Sequence, residues 1–304
     1  MGRAALPPSK MNSDALVAFF SDLHSGSTVG LAPVSWTLRD GGTYIHTTAQ
    51  AILRRQWLED WEAVKRARKN RRLIIGIVGD LIEGNHSETD QLITSNVNVH
   101  GQISGACIIE GLRAGAVRPD DKIFVYLGTH RHTGTLEETI AREIRHPKTN
   151  QRMVPPAIPP TAKAEYQDGR YVRPHHKFSV NGVLFDVAHE PNAGGGNRAW
   201  TKGNAFQTML RSIYLETAER KQKLTRWFIR AHRHQYLHRH HEGPYGRIDG
   251  VILPAYQAKT DFANKVANDK LSDMGMSMVY VNGDGESWLE TRCVTYDTAD
   301  EDEL

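Results

Sequence analysis

The sequence predicts an α/β fold with helices outside and sheet inside. Continuous apolar runs of strand length recur along the 304 residues, and such runs mark strands buried on both faces. Most are separated by segments of helix length, and alternation of strand and helix argues for layered α/β packing. In addition, five successive runs stop at aspartate or histidine, at the strand ends where open α/β sheets bind ligands.

The expected strands are residues 16–20, 73–78, 122–127, 183–188 and 226–231, followed by 250–253, 277–281 and 288–296. Segments 49–70, 88–116, 136–145 and 203–222 read as helices. In the first, Ile52, Leu53, Trp57, Trp61 and Val64 recur near helical spacing. The stretch from His146 onward breaks the rhythm with Pro147, Pro155, Pro156, Pro159, Pro160 and Pro174. It reads as an insertion or lid loop at about 146–176, because the strand pattern resumes after it. One domain over 1–296 is expected, followed by an acidic tail at 297–304 holding Asp297, Asp300, Glu301, Asp302 and Glu303.

Composition closes several routes. Two cysteines, Cys107 and Cys293, make no disulfide framework and suit a reducing compartment. No apolar run reaches the roughly 18 residues of a membrane span, and residues 1–10 are too polar for a signal peptide. A cytoplasmic protein with no membrane contact is expected. The formal charge is +3; setting the acidic tail aside leaves a more basic body, suited to an anionic substrate. Fifteen histidines point to metal wherever their spacing fits.

The spacing fits at the strand ends. There the chain reads Ser21-Asp22-Leu23-His24, then Gly79-Asp80 with Glu83-Gly84-Asn85-His86, then Gly128-Thr129-His130-Arg131-His132, then His189-Glu190, then His232-Arg233-His234. In extended backbone, positions i and i+2 point to the same side, so Asp22 with His24, and His232 with His234, can each address one centre. Carboxylate and imidazole without thiolate suit a catalytic metal site with open positions rather than a Cys-rich structural zinc. The Asp80 carboxylate has two oxygens and could bridge two ions. Two divalent ions about 3.5–4 Å apart clamp a displacement at phosphorus, and they lower the pKa of a bound water from about 15.7 towards about 7.

Asp22-Leu23-His24, Gly79-Asp80, Gly128-Thr129-His130, His189 and Ala231-His232-Arg233-His234 resemble the ordered signature of calcineurin-like metallophosphoesterases, written D-x-H, G-D, G-N-H, H and G-H-x-H. The resemblance covers roughly residues 16–256. It implies a four-layer α/β/β/α sandwich of two mixed sheets. Asp22, His24, Asp80 and His234 would hold a first metal, and Asp80, His189 and His232 a second, with Asp80 bridging. Two divalent ions are implied, manganese foremost, with iron, zinc or nickel as alternatives. A hydroxide between them would attack phosphorus, and a histidine near position 130 would help the leaving oxygen depart.

The chain departs from the pattern in three places. Thr129 stands where the family has an asparagine ligand, and a literal Gly84-Asn85-His86 occurs after Asp80 instead, so Asn85 or Thr129 completes the second site. Either His130 or His132 is the catalytic histidine. Ala231 replaces a glycine, at a small loss of backbone freedom. Arg198, in the glycine-rich loop after His189, and His86 are candidate substrate contacts. Plainer readings stand beside these: Asp22, Asp80 and Asn85 are also ordinary turn or cap residues, and a lone His189 would pass for a partly buried, satisfied histidine. The basic run at 65–72, with Arg54 and Arg55, suits nucleic-acid phosphates or a solvated helix end. The expected activity is therefore metal-dependent hydrolysis of a phosphoester, by a phosphodiesterase, phosphatase or nuclease whose substrate includes DNA or RNA as a candidate. The alternative is a non-catalytic binding module on the same fold.

Overall fold

The computed structural model describes residues 14–85, 91–134, 136–157, 170–191, 203–260 and 272–296. In chain order the elements are β1 (Ala15–Phe20), β2 (Ser35–Thr37), β3 (Thr43–Ile45), α1 (Thr48–Arg68), β4 (Arg72–Val78), α2 (Val97–Ala114), β5 (Lys122–Tyr126), α3 (His130–Thr133) and α4 (Leu136–Glu143). There follow β6 (Val172–Arg173), β7 (His175–Val180), β8 (Val183–Ala188), α5 (Asn204–Glu219), β9 (Trp227–Arg230), β10 (Leu237–Gly243), β11 (Gly246–Ile252), β12 (Ser272–Val281) and β13 (Ser287–Tyr296). Among the described residues no helix is long and apolar enough to cross a membrane.

Two mixed sheets carry the architecture, one ordered β13-β12-β1-β4-β5-β6 and the other β10-β11-β9-β8-β7; β2 and β3 form a separate hairpin. The continuous apolar run of β1 has a direct cause. Leu16, Ala18 and Phe20 enter a core shared with Trp57, Trp61 and Val64 of α1 and Ile103, Ile108 and Leu112 of α2. Ala15, Val17 and Phe19 face the other way, into a core shared with Phe185 and Val187 of β8 and Trp227 and Ile229 of β9. Period-two alternation thus gives each face of the strand a different partner. A third core joins Phe206, Leu210 and Tyr214 of α5 to Phe228, Ile248 and Ile252 on the outer face of the second sheet. Each fully buried large side chain contributes about 1.5–3 kcal/mol, so the paired cores fix the sheets against each other. α1 starts where Thr47 and Gln50 form a reciprocal capping box.

The register sets the site. β1, β4 and β5 run parallel, with Phe20 opposite Ile77 and Val78 opposite Tyr126, so their carboxyl ends fall level. β8 and β9 are also parallel, with Val187 opposite Ile229. Beyond the ladders, backbone bonds continue the alignment: Asp22 N–H donates to Gly79 O at 3.0 Å, His24 N–H to Asp80 O at 3.0 Å and Ala231 N–H to His189 O at 2.9 Å.

Several boundaries differ from expectation. The helix expected over 88–116 begins at Val97 behind an Asn96 cap. β6 and the first residues of β7 occupy the end of the expected insertion, because two-residue β6 and the alternating HHKFSV of β7 carry no apolar run. Residues 151–156 line a cavity of about 470 Å³ with Pro119, Lys122 and Phe124. That is the amino end of β5, away from the strand ends just described.

Candidate metal centre

Asp22, His24, Asp80, His189, His232 and His234 converge as two adjoining triads. Asp22, His24 and His234 form one, and Asp80, His189 and His232 the other; within each triad the candidate ligand atoms lie within 4.8 Å of one another. In the first, His24 Nε2 lies 3.2 Å from His234 Nε2, and His234 Nε2 lies 3.3 Å from Asp22 Oδ1. In the second, Asp80 Oδ2 lies 3.0 Å from His189 Nε2 and 3.8 Å from His232 Nδ1. The triads touch: Asp80 Oδ2 is 3.9 Å from His24 Nε2, and Asp22 Oδ1 is 4.0 Å from His189 Nε2.

Unusual backbone puts the side chains there. Asp22, His24, Asp80, His232 and His234 all have positive φ, at 52°, 42°, 50°, 72° and 50°. Left-handed backbone in non-glycine residues costs roughly 1–3 kcal/mol each and gathers at functional sites. Two glycines let the strand ends approach. A Cβ on Gly79, whose φ is 73°, would strike the His189 ring and Gly128 Cα, and a Cβ on Gly128 would strike the backbone and carboxylate of Asp80.

The histidines are oriented from behind. His24 Nδ1 pairs with Glu83 Oε2 at 2.9 Å, and Gln257 Nε2 donates to that same oxygen at 2.8 Å. His189 Nδ1 donates to Val78 O at 2.8 Å. A partner on one ring nitrogen fixes the tautomer and presents the other to a metal. Asp22 Oδ1 is buried and makes no hydrogen bond, an orphaned anionic oxygen that a cation would satisfy. The carboxylate–imidazole donor set suits a transition ion. On these grounds the residues could hold metal ions.

The electrostatics agree. Burial pushes the Asp22 carboxyl up, but the imidazoles of His189 and His234 outweigh it and hold the group at about 2. Asp80 is held well below the usual carboxylate range, burial again being outweighed by His189 and His232. Burial pushes His24 down, yet Glu83 and the two aspartates raise it to about 9; His189 rises to about 10 against burial through Asp22 and Asp80. The acids therefore stay anionic at neutral pH, and His24 and His189 would give up their protons to a bound cation.

The remaining candidates are distributed around this cluster. Asn85 is exposed, and its side-chain amide donates to Ser95 O at 3.3 Å. Thr129 lies in the second triad: its N–H donates to Asp80 Oδ1 at 2.6 Å, and its hydroxyl stands 3.1 Å from both Asp80 Oδ2 and His232 Nδ1 and 3.5 Å from Glu190 Oε1. His132 packs edge-on against His24 with centroids 4.8 Å apart, and its Nδ1 donates to Glu83 O at 3.0 Å. Burial, then the charge on His24, lowers its pKa. His24, Glu83 and His132 also form a third group with metal-ligand spacing. His130 is exposed at the start of α3. Arg198 and His86 lie outside the described residues. Glu83, Gln257 and Glu190 were not assigned from sequence; Glu83, three residues after Asp80, and Glu190, next to His189, carried a signal by standing in the strand-end motifs.

Neither a protein-family model nor a curated protein sequence matches the chain. Similar solved structures include vacuolar protein sorting 29 from Cryptosporidium parvum, at TM-score 0.37 and 8% identity over 94% of this chain and 100% of that one. Another is the sulfate thiohydrolase SoxB of Thermus thermophilus, at TM-score 0.37 and 11% identity over 96% of this chain and 58% of that one. A third is a metallophosphoesterase from Sphaerobacter thermophilus, at TM-score 0.33 and 11% identity, covering 93% and 89%. By its own strand order the chain has a mixed α/β fold built on two mixed sheets.

Proposed function

We propose that the chain is a metal-dependent hydrolase of phosphoester bonds, with Asp22, His24 and His234 holding one divalent ion and Asp80, His189 and His232 a second. One observation carries the reading: Asp80 Oδ2 lies within 3.9 Å of nitrogens from both triads while Oδ1 is engaged by Thr129 N–H. A single carboxylate oxygen is thereby offered to both positions. When bound, such ions would acidify a water towards neutral pH and offset charge on the phosphate oxygens.

The chain's own residues supply the rest. Thr129 completes the second position with its hydroxyl, with Glu190 beside it. His232 and His234 keep 40% and 24% of their side-chain surface in solvent, whereas Asp22 and Asp80 are sealed, so substrate enters over the two histidines. We assign His130, exposed next to Thr129, to protonating the leaving oxygen. Burial, then the charge on His24, lowers the pKa of His132, and its Nδ1–H is committed to Glu83 O; it positions the first triad.

The basic run 65–72 ends α1 and enters β4. The strand residues 73–78, at about 3.3 Å each, and Gly79 separate it from Asp80. This distance favours a phosphoester recognised at the centre itself over a polynucleotide gripped by that run.

The test is turnover of bis(p-nitrophenyl) phosphate and p-nitrophenyl phosphate with Mn²⁺, for the unmodified chain and for Asp80→Asn. The variant should lose about a hundredfold or more in kcat/KM, since metal charge stabilisation is worth several kcal/mol. A chain that binds both ions yet turns over neither ester is the non-catalytic module instead.

A further inference from the structure

The residue that aligns the two loops around Asp80 lies outside every strand-end motif. The ladder between β4 and β5 ends at Val78 and Tyr126, and the loops that follow carry Asp80 of the second triad and Thr129, whose N–H donates to Asp80 Oδ1. Beyond the ladder no sheet bond spaces these loops. Glu137, in the first turn of α4, spans the gap. Its Oε1 accepts from Leu81 N–H at 3.2 Å and its Oε2 from Gly128 N–H at 2.7 Å. The side chain is completely buried. One carboxylate thus holds the residue after Asp80 and the residue before Thr129.

The spacing this sets is tight. Thr129 N–H reaches Asp80 Oδ1 at 2.6 Å, and Gly128 sits so close to Asp80 that no Cβ fits between them. A buried carboxylate is costly unless its oxygens are hydrogen-bonded, and two loop amides meet that need here. An amphipathic helix needs no buried acid at this position, so core packing does not explain it.

The geometry points to Glu137 as a positioning residue for the second metal position: it fixes the separation of the Asp80 and Thr129 loops, and so the geometry of the Asp80, His189, His232 and Thr129 donors. This rests on the metal reading of the site. Glutamine at 137 keeps the volume but turns an amide N–H₂ towards one of the two loop amides, which opens one arm of the clamp. Outer-shell partners of metal ligands typically contribute about 10–100-fold in affinity.

The experiment compares the full chain with Glu137→Gln and with Asp121→Asn. Asp121 is buried and paired with Arg68 at the far end of β5, so its loss tests mere destabilisation. Mn²⁺ binding is measured by calorimetry, and amide hydrogen exchange is measured without metal. In Glu137→Gln the second ion should bind about 10–100-fold more weakly. One of the Leu81 and Gly128 amides, the one that faces the new N–H₂, should exchange about tenfold faster, as loss of a hydrogen bond implies. Asp121→Asn should leave both readouts as in the unmodified chain. Should Glu137→Gln fail to fold, Glu137→Asp takes its place, keeping both oxygens but one methylene short. Unchanged second-ion affinity, unchanged exchange at the two amides, or equal losses in Asp121→Asn would each overturn the assignment. If the unmodified chain takes up no ion, the proposed function falls; the exchange of Leu81 and Gly128 still reads the clamp on its own.

Discussion

His24 Nε2 and His234 Nε2 stand 3.2 Å apart although 210 positions separate them in the chain. The facing nitrogens are available as ligands because His24 is fixed from behind: its Nδ1 is committed to Glu83 Oε2, so in the neutral ring Nε2 carries the lone pair. His234 meets it with an equivalent nitrogen, and Asp22 Oδ1 lies 3.3 Å from that nitrogen. Two imidazole nitrogens and a carboxylate oxygen at these distances surround one point that a cation can occupy.

Removing the brace should weaken that point. Glu83→Gln is expected to lower affinity for the first Mn²⁺ about 10–100-fold, read by titration calorimetry. Gln257→Ala, which removes a donor to the same carboxylate oxygen, should act in the same direction with a smaller effect. Unchanged affinity in Glu83→Gln would show that His24 needs no support.

Thr129 and Asn85 make opposite predictions. Thr129→Val keeps the shape but removes the hydroxyl 3.1 Å from Asp80 Oδ2 and His232 Nδ1, and second-ion affinity should fall about tenfold or more. Asn85→Ala, at an exposed side chain that contacts Ser95 O, should leave both ions in place. The reverse pattern would return the ligand role to Asn85.

Gly128→Ala forces a methyl group against the Asp80 backbone and carboxylate. Overpacking of this kind costs about 1–3 kcal/mol. Urea denaturation should show a loss of that size together with weaker metal uptake. A variant as stable as the parent would mean that the loops can separate without cost.

His176 gives a pH signature from outside the two triads. Burial, then the neighbouring charges of Arg173 and His175, pushes its imidazole down to about 4, while its ring packs on Phe178 and Phe124 and its Nδ1 meets Tyr126 Oη at 3.4 Å. A depressed folded pKa means that the stability held by the neutral ring is present above about 6.5 and is lost as pH falls through about 4. The Tm of the parent should drop between pH 6.5 and 4 by more than that of His176→Phe. Parallel curves would assign the acid sensitivity elsewhere.

The strands that bear the site were legible because β1 and β4 are buried on both faces and so read as unbroken apolar runs. The edge strands of the second sheet were not. β7 alternates exposed and partly buried residues, and β10, LHRHHEG, holds one aliphatic side chain, so neither has an apolar run. Their identity comes from pairing with β8 and β11, which no local window contains. The same division holds in the site. Asp22, His24, His232 and His234 stood out as acid and imidazole groups two residues apart at strand ends, but the extended geometry and the shared centre expected of each pair do not both hold: all four have left-handed backbone, and His232 joins the second triad while His234 joins the first. Glu137 did not stand out, because an acid in the first turn of a helix reads as a response to the helix dipole; its partners, Leu81 and Gly128, become neighbours only once β4 and β5 lie side by side.

The most direct measurement is the metal content and magnetic coupling of the chain loaded with Mn²⁺. Two ions per chain, exchange-coupled in the electron paramagnetic resonance spectrum, are expected for the parent, and Asp80→Asn should hold at most one, uncoupled. A parent that takes up no ion, or a variant that still carries a coupled pair, would contradict a centre built on the shared Asp80 oxygen.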